Sequence, residues 1–440
     1  MVIRRIVRSD ASAQTKRVQS QGVTTRGFAL SMHARAGERT PGFMQGLMLL
    51  LPITMSVVGV SVFTATAALM TEHFRDVPDG EYLVQLLITM PAIWILLFSP
   101  IAGWLADRFG RRQILIWSMV VYAFVGAAPF FLENIYIILV TRCGVGICES
   151  IVMTVTTTMI GDYFKGAARE RWLASQTATA SLSALLIIWA GGQLGARFGW
   201  QGPFLVYLYS LALVIGIVLF TWEPHKDREL ETAGVDADAR YREFPFARML
   251  GICAITVVAS IMFYATITQN ANALVSLGVS NPATIGELSA LASLGVPLGT
   301  VIFWRLGRLP IGWLLFVNFA LIGLGFHWMG TATTPNGYAW AANVQQIGCG
   351  LILPTLLVWA TRGLAFNIRG RGTGAWQATF AIGQFLSGVT LTFLGKQLGG
   401  LLPTFSVLGK LCLAAAALAL VAAVIWRRST TPAAALGHTP

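Results

Sequence analysis

Two ionisable side chains lie deep within one apolar stretch of this 440-residue chain. The segment RCGVGICES, Arg142–Ser150, holds a guanidinium and a carboxyl seven residues apart. On a helix that spacing sets Arg142 and Glu149 on one face, roughly 10 Å apart along the axis. A direct salt bridge needs both side chains to bend, so neighbouring helices are expected to supply partners. An ionisable group inside a membrane is costly and marks a functional position by default. Glu149 can take up and release a proton, because burial favours the neutral acid and an approaching Arg142 favours the carboxylate. Arg142 can neutralise Glu149 or hold an anionic group of a solute. The alternative is an architectural pair that fastens its helix to the next.

A second concentration of charge lies in AGWLADRFGRRQ, Ala102–Gln113, where Asp107, Arg108, Arg111 and Arg112 fall within six residues between apolar runs. Gly103 permits close helix approach and Gly110 a left-handed turn. Asp107 is expected to accept hydrogen bonds from Arg108 or from a helix N-terminus, whose dipole is positive. The helix that suits this begins near Gly372. Further along, IGDYFKGAARERW brings Asp162 and Arg169 to a similar turn. These contacts would clasp two halves of a molecule from one side; a topogenic charge cluster or a solvated surface pair is the plain alternative.

The elements that position these groups follow from composition. Hydrophobic residues make up 55% of the chain and charged ones 11%, against about 25% charged in soluble domains. Mean hydropathy is +0.67. Continuous apolar runs of about 20 residues predict membrane-spanning helices and argue against alternating strands. Twelve spans are expected at 44–70, 81–105, 114–132, 134–163, 170–196, 200–222, 246–276, 284–306, 311–331, 336–364, 371–399 and 402–426. The fold class is thus all-α integral membrane, with two six-helix bundles at 44–222 and 246–427. A polar linker (223–245) joins them. A basic, disordered tail (1–43) precedes them and a short tail (428–440) follows. Of the Lys and Arg residues, 26 fall on the face carrying both tails, the linker and the 2–3, 4–5, 8–9 and 10–11 turns; the opposite face has Arg75, Arg197, Lys396 and Lys410. The positive-inside rule makes the basic face cytoplasmic, with both termini inside a cell inner or plasma membrane.

The halves repeat at an offset of about 200 residues: RCGVG (142–146) faces QIGCG (346–350), and RERWLASQ (169–176) faces RGRGTGAWQ (369–377). The late turn WRLGRL keeps Arg305, Gly307 and Arg308 but lacks the acid. Uncharged amides within spans should point into the bundles. They are Gln269, Asn270 and Asn272 in span 7, Asn343, Gln345 and Gln346 in span 10, and Gln377 and Gln384 in span 11. They either bond neighbouring helices or touch a solute, and Trp376 could add an apolar wall. Pro297 and Pro354 are expected to kink their helices. The five cysteines read as small buried hydrophobes, without metal or disulfide spacing. No nucleotide loop, metal cluster or nucleophile motif is present, which excludes the enzyme classes those motifs serve and calls for no cofactor. The net charge of +12 lies in loops, so a nucleic-acid partner is not implied.

GWLADRFGRR, Gly103–Arg112, resembles the signature of the major facilitator superfamily between spans 2 and 3, with every position filled. Arg142, Gly146 and Glu149 resemble the span-4 motif of Spinster-like and related multidrug carriers, and GRGTGAWQATFAIGQFLSG (370–388) looks like bacterial drug-efflux members. The resemblance implies alternating access powered by an ion gradient, with Asp162 paired to the arginines of the first turn. Span 1 carries no acid or base, so proton coupling would rest on Glu149. The span-5 antiporter motif is reduced to Gly191 and Gly192. The expected activity is proton-coupled efflux of a small amphipathic or aromatic solute by a monomer in the lipid bilayer. Proton-symport uptake of an organic anion on Arg142 is the alternative, and a non-transporting receptor or scaffold on the same fold is a further one.

Overall fold

The computed structural model describes residues 40–224, 245–362, 364 and 366–429. Most of the expected N-terminal tail, most of the linker and the last residues of the C-terminal tail lie outside them. From Phe43 onward the chain forms one compact helical unit. Eleven helical stretches among the described residues are long and apolar enough to cross a membrane. One of them, Gly166–Phe220, has 55 residues. That is far beyond the roughly 20 that one crossing needs. It holds two spans that turn at Gly199, where φ is +68° and the left-handed conformation favours glycine. Among the described residues the crossings therefore number twelve.

Span 1 is broken into Phe43–Leu50, Ile53–Ser61 and Ala67–His73. Span 2 is Gly80–Phe109, span 3 Arg111–Ala127, span 4 Ile135–Tyr163 and span 5 Gly166–Phe198. Span 6 enters as a tighter 3-10 coil, Gly199–Leu208, before its α-helix Tyr209–Phe220. Span 7 is Phe246–Ser276, and span 8 breaks into Pro282–Ser293 and Gly295–Leu306. Spans 9 to 12 are Ile311–Thr331, Pro335–Thr361, Phe366–Leu398 and Leu401–Ser429. Span 11 starts earlier than the apolar pattern suggests, because its first turns carry polar residues. The two prolines act differently. Span 8 breaks just ahead of Pro297, which has no N–H to bond Ser293, whereas span 10 runs on through Pro354. At the span-8 break Asn343 donates to the Leu291 carbonyl at 2.8 Å.

Lipid provides no hydrophobic drive between helices, so close backbone approach and interhelical hydrogen bonds hold the bundles. The repeat is visible here. A methyl on Gly146 would stand 2.6 Å from the Pro91 carbonyl oxygen of span 2. One on Gly350 would overlap the Val296 carbonyl of span 8. The two repeated glycines thus let span 4 onto span 2 and span 10 onto span 8.

The bundles meet along spans 2 and 11 and spans 5 and 8, and both seams are tight on the face opposite the basic one. Thr89 donates to the Phe385 carbonyl at 3.1 Å, Gln85 packs on Gly388, and Lys396 pairs with Glu81 at 3.0 Å. Gly192 lies so close to span 8 that a methyl would be 2.8 Å from the Pro282 oxygen and 2.9 Å from the Gly286 Cα. On the basic half, span 5 contacts the Gly295–Leu306 segment far less than it contacts Pro282–Ser293. Gly103 of span 2 and Gly374 of span 11 both face open space within 4 Å. Gly103 therefore makes no close helix approach in this state. The cleft between the bundles opens toward the basic face.

Candidate functional site

Glu149 and Arg142 are 1% and 0% exposed on span 4. No ion pair within 4 Å joins them among the described residues, and each is held by other helices, as the seven-residue spacing requires. Arg142 uses all three guanidinium nitrogens: Nε donates to the Leu87 carbonyl of span 2 at 3.2 Å, Nη1 to the Tyr207 hydroxyl of span 6 at 2.7 Å, and Nη2 to the Gly59 carbonyl of span 1 at 2.7 Å. Its carbon lies 5.1 Å from the Phe63 ring centroid and 5.2 Å from that of Tyr207, within cation–π range. One buried cation thus ties four spans together. Three of its five N–H donors are used and the side chain is fully buried, so in this state Arg142 is not presented to a solute anion.

Glu149 lies against Gly59, where a methyl would stand 2.5 Å from Oε1. Across from it, the Tyr122 hydroxyl of span 3 is 3.5 Å from Oε1 and donates to the Met55 carbonyl at 2.8 Å. A phenol has one hydrogen. With that hydrogen on Met55, the phenol oxygen can accept from a protonated Glu149 but cannot donate to a carboxylate. The arrangement suits a neutral acid. Gly59 touches both charged groups, its carbonyl on one and its Cα face on the other. Nothing in the sequence marked it, since span 1 has no ionisable residue and its nearness to Glu149 is a tertiary contact.

The basic turn forms a second constellation. Gly110 adopts φ +93°, a conformation glycine takes without strain, between spans 2 and 3. Arg111 pairs with Asp162 and also donates to Asp107 at 3.3 Å. Arg112 donates to the Val218 carbonyl at 2.8 Å. Arg108 stays outside this network and lies over the Trp104 and Phe109 rings. Arg169 has no ion pair among the described residues and lies beside Gly161. Asp107 bonds within its own turn to Arg111. Span 11 begins at Phe366, and Gly372 is buried against Leu364 and Ala360 of its own bundle. Glu223 caps the N-terminus of span 3. Its carboxylate accepts from the Arg111 N–H at 2.6 Å and the Arg112 N–H at 2.9 Å. In the sequence pattern Glu223 is the first residue of the polar linker. Its signal was the Trp-Glu-Pro run, where proline stops span 6 and leaves an acid at the membrane edge.

The amides divide. Gln269 donates to the Gly388 carbonyl and Thr392, Asn270 to Ser289, Asn272 to Gln269, and Gln345 to the Met262 carbonyl. With Asn343, these fasten spans 7, 8, 10 and 11. Gln346 is buried with its Oε1 unpaired among the described residues, and so is the Trp376 indole nitrogen. Trp376 stacks on Phe380 at 5.6 Å, and Phe380 meets Phe263 and Tyr264 at 5.8 and 5.7 Å. Gln377 is exposed and Gln384 half-buried. Spans 7 and 11 thus present an aromatic wall with an unpaired donor and amides at its edge.

Comparison with known proteins fits this arrangement. The model of the Major Facilitator Superfamily matches residues 49–388. The chain is 32% identical over 130 residues to the bacillibactin exporter of Bacillus subtilis, covering 28% of this chain and 32% of that one. It is 29% identical over 104 residues to protein spinster homolog 1 of Bos taurus, covering 23% and 19%. These matches span a third or less of the curated relatives' length. Among solved structures, a bacterial homologue of the human lysosomal transporter Spinster, in an inward-facing and unoccupied conformation, superposes with a TM-score of 0.74 at 17% identity, over 88% of this chain and 98% of that one.

Proposed function

The chain belongs to the Major Facilitator Superfamily and is a membrane transporter, and from that premise we propose that it exports an amphipathic or aromatic organic solute in exchange for protons bound at Glu149. The observation that carries this reading is the pairing of a cleft open at the basic face with a buried acid beside the Tyr122 hydroxyl, whose oxygen can accept a hydrogen bond from the protonated acid. We take the basic face as cytoplasmic in an inner or plasma membrane. Residues 44–222 and 246–427 are then the two rocking units of a monomer. The solute enters the cleft from the cytoplasm and rests on the aromatic wall of spans 7 and 11. The indole N–H of Trp376 and the amides Gln346, Gln377 and Gln384 orient its polar part. As the cleft closes, the Lys396–Glu81 pair and the Gly192–Gly286 contact part on the outer face. Asp107, Arg111, Asp162 and Glu223 hold the turn that must dock against the other bundle. Glu149 gains a proton while open to the outside and loses it when span 1 shifts and Arg142 stabilises the carboxylate. The exporter among the relatives favours the outward direction.

The test begins with a thermal-shift screen of purified protein against drugs, aromatic acids and lysolipids at two pH values. The solutes found are then added to liposomes holding the protein and a pH dye. Wild type moves protons when solute is added, and Glu149→Gln does not. Proton movement of equal rate in Glu149→Gln ends the coupling assignment.

A further inference from the structure

The C-terminal bundle carries two joined hollows at its basic end, away from both seams. The larger, about 1250 Å³, is walled by Ile311, Trp313, Leu315, Trp359 and Ala422. The smaller, about 480 Å³, lies among Gly307, Val358 and Thr361, and the two share Arg308 and Arg362. Neither arginine has an acidic partner within 4 Å among the described residues. Arg248 also borders the larger hollow but is taken, donating to the Trp359 and Arg362 carbonyls at 2.8 and 2.7 Å and so capping the end of span 10. An apolar groove of this size exceeds the roughly 300–1,000 Å³ of drug-sized sites. Spans 9 and 12, which form one wall, pack against spans 7, 10 and 11 of their own bundle. The neighbouring Trp304 is 80% exposed, as interfacial anchors are. A small charged hollow opening into a long apolar one, at the boundary between membrane and water, matches a molecule with an anionic head and hydrocarbon chains.

We infer that this groove is a binding site for an anionic phospholipid, with the phosphate between Arg308 and Arg362 and an acyl chain along Trp313 and Leu315. Bilayer lipid reaches the groove sideways from spans 9 and 12, so occupancy does not depend on the transport cycle or on the solute. Both arginines are exposed and their side chains make no hydrogen bond or ion pair among the described residues, so they are replaceable.

Native mass spectrometry of the full chain in mild detergent, titrated with phosphatidylglycerol or phosphatidylcholine, tests the site. Wild type retains phosphatidylglycerol in preference. The Arg308→Gln/Arg362→Gln variant loses that preference, with affinity falling about tenfold or more. The Arg75→Gln/Arg197→Gln variant, with the same change in net charge on the other face, retains it. In nanodiscs, phosphatidylglycerol with brominated chains quenches the fluorescence lost in Trp313→Phe more than brominated phosphatidylcholine does. This second reading stands even if the double arginine variant fails to fold. Equal retention of the two lipids, an unchanged double variant, or displacement of the lipid by millimolar inorganic phosphate would each overturn the assignment.

Discussion

Gly59 offers the sharpest test of how the buried acid is held. Gly59→Ala puts a methyl carbon 2.5 Å from Glu149 Oε1, 3.1 Å from Oε2 and 3.2 Å from Cδ. Ordinary contact begins near 3.4 Å, so the carboxyl must withdraw by about 0.9 Å. It has little room, because Glu149 is 1% exposed and Tyr122 stands on the other side. Overpacking of this kind costs about 1–3 kcal/mol. Inside a helix, Gly→Ala by itself is favourable by about 0.5–1 kcal/mol. Removing the acid should therefore reverse the sign. In a Glu149→Ala background the same Gly59→Ala change is neutral or stabilising, giving a coupling of about 1–3 kcal/mol. Reversible unfolding of wild type, both single variants and the double variant in detergent measures the cycle. Solute-driven proton movement in liposomes should also slow in Gly59→Ala, although Glu149 is intact. An equal cost of Gly59→Ala in both backgrounds would refute the packing of Glu149 on span 1.

Other outcomes follow from the same geometry. Tyr207→Phe removes the acceptor of Arg142 Nη1 and should destabilise the N-terminal bundle by about 1–3 kcal/mol in the same unfolding assay. Glu223→Gln takes a negative charge from the exposed N-terminus of span 3 and should cost about 0.3–1 kcal/mol, a loss that shrinks in high salt. Gly192→Val meets backbone atoms of Pro282 and Gly286, which cannot yield, so spin labels on spans 5 and 8 should report a wider outer seam and a population shifted away from the state described here. Lys396→Gln breaks an exposed ion pair, so unfolding should hardly change while a cysteine introduced at Gly388 becomes more reactive to aqueous reagents; unchanged reactivity would remove Lys396 from the outer seal.

Much of this architecture is written in one-dimensional patterns. Apolar run length states how many helices cross, because unpaired backbone groups are intolerable in hydrocarbon. The uneven distribution of arginine divides the loops between two faces. Repeated glycines mark where two pairs of helices meet, and the isolation of Arg142 and Glu149 singles out span 4. What those patterns could not supply is the identity of partners. Seven residues of spacing keep Arg142 and Glu149 apart on their own helix, but only the packed bundle assigns Leu87, Gly59 and Tyr207 to one and Tyr122 to the other. Glu223 became the cap of span 3 because the end of span 6 folds back beside it. Most of the amides that could have faced a solute turned instead to neighbouring carbonyls and hydroxyls. Hydrogen bonds act over about 3 Å, and sequence distance says little about which groups come that close once twelve helices have chosen their neighbours.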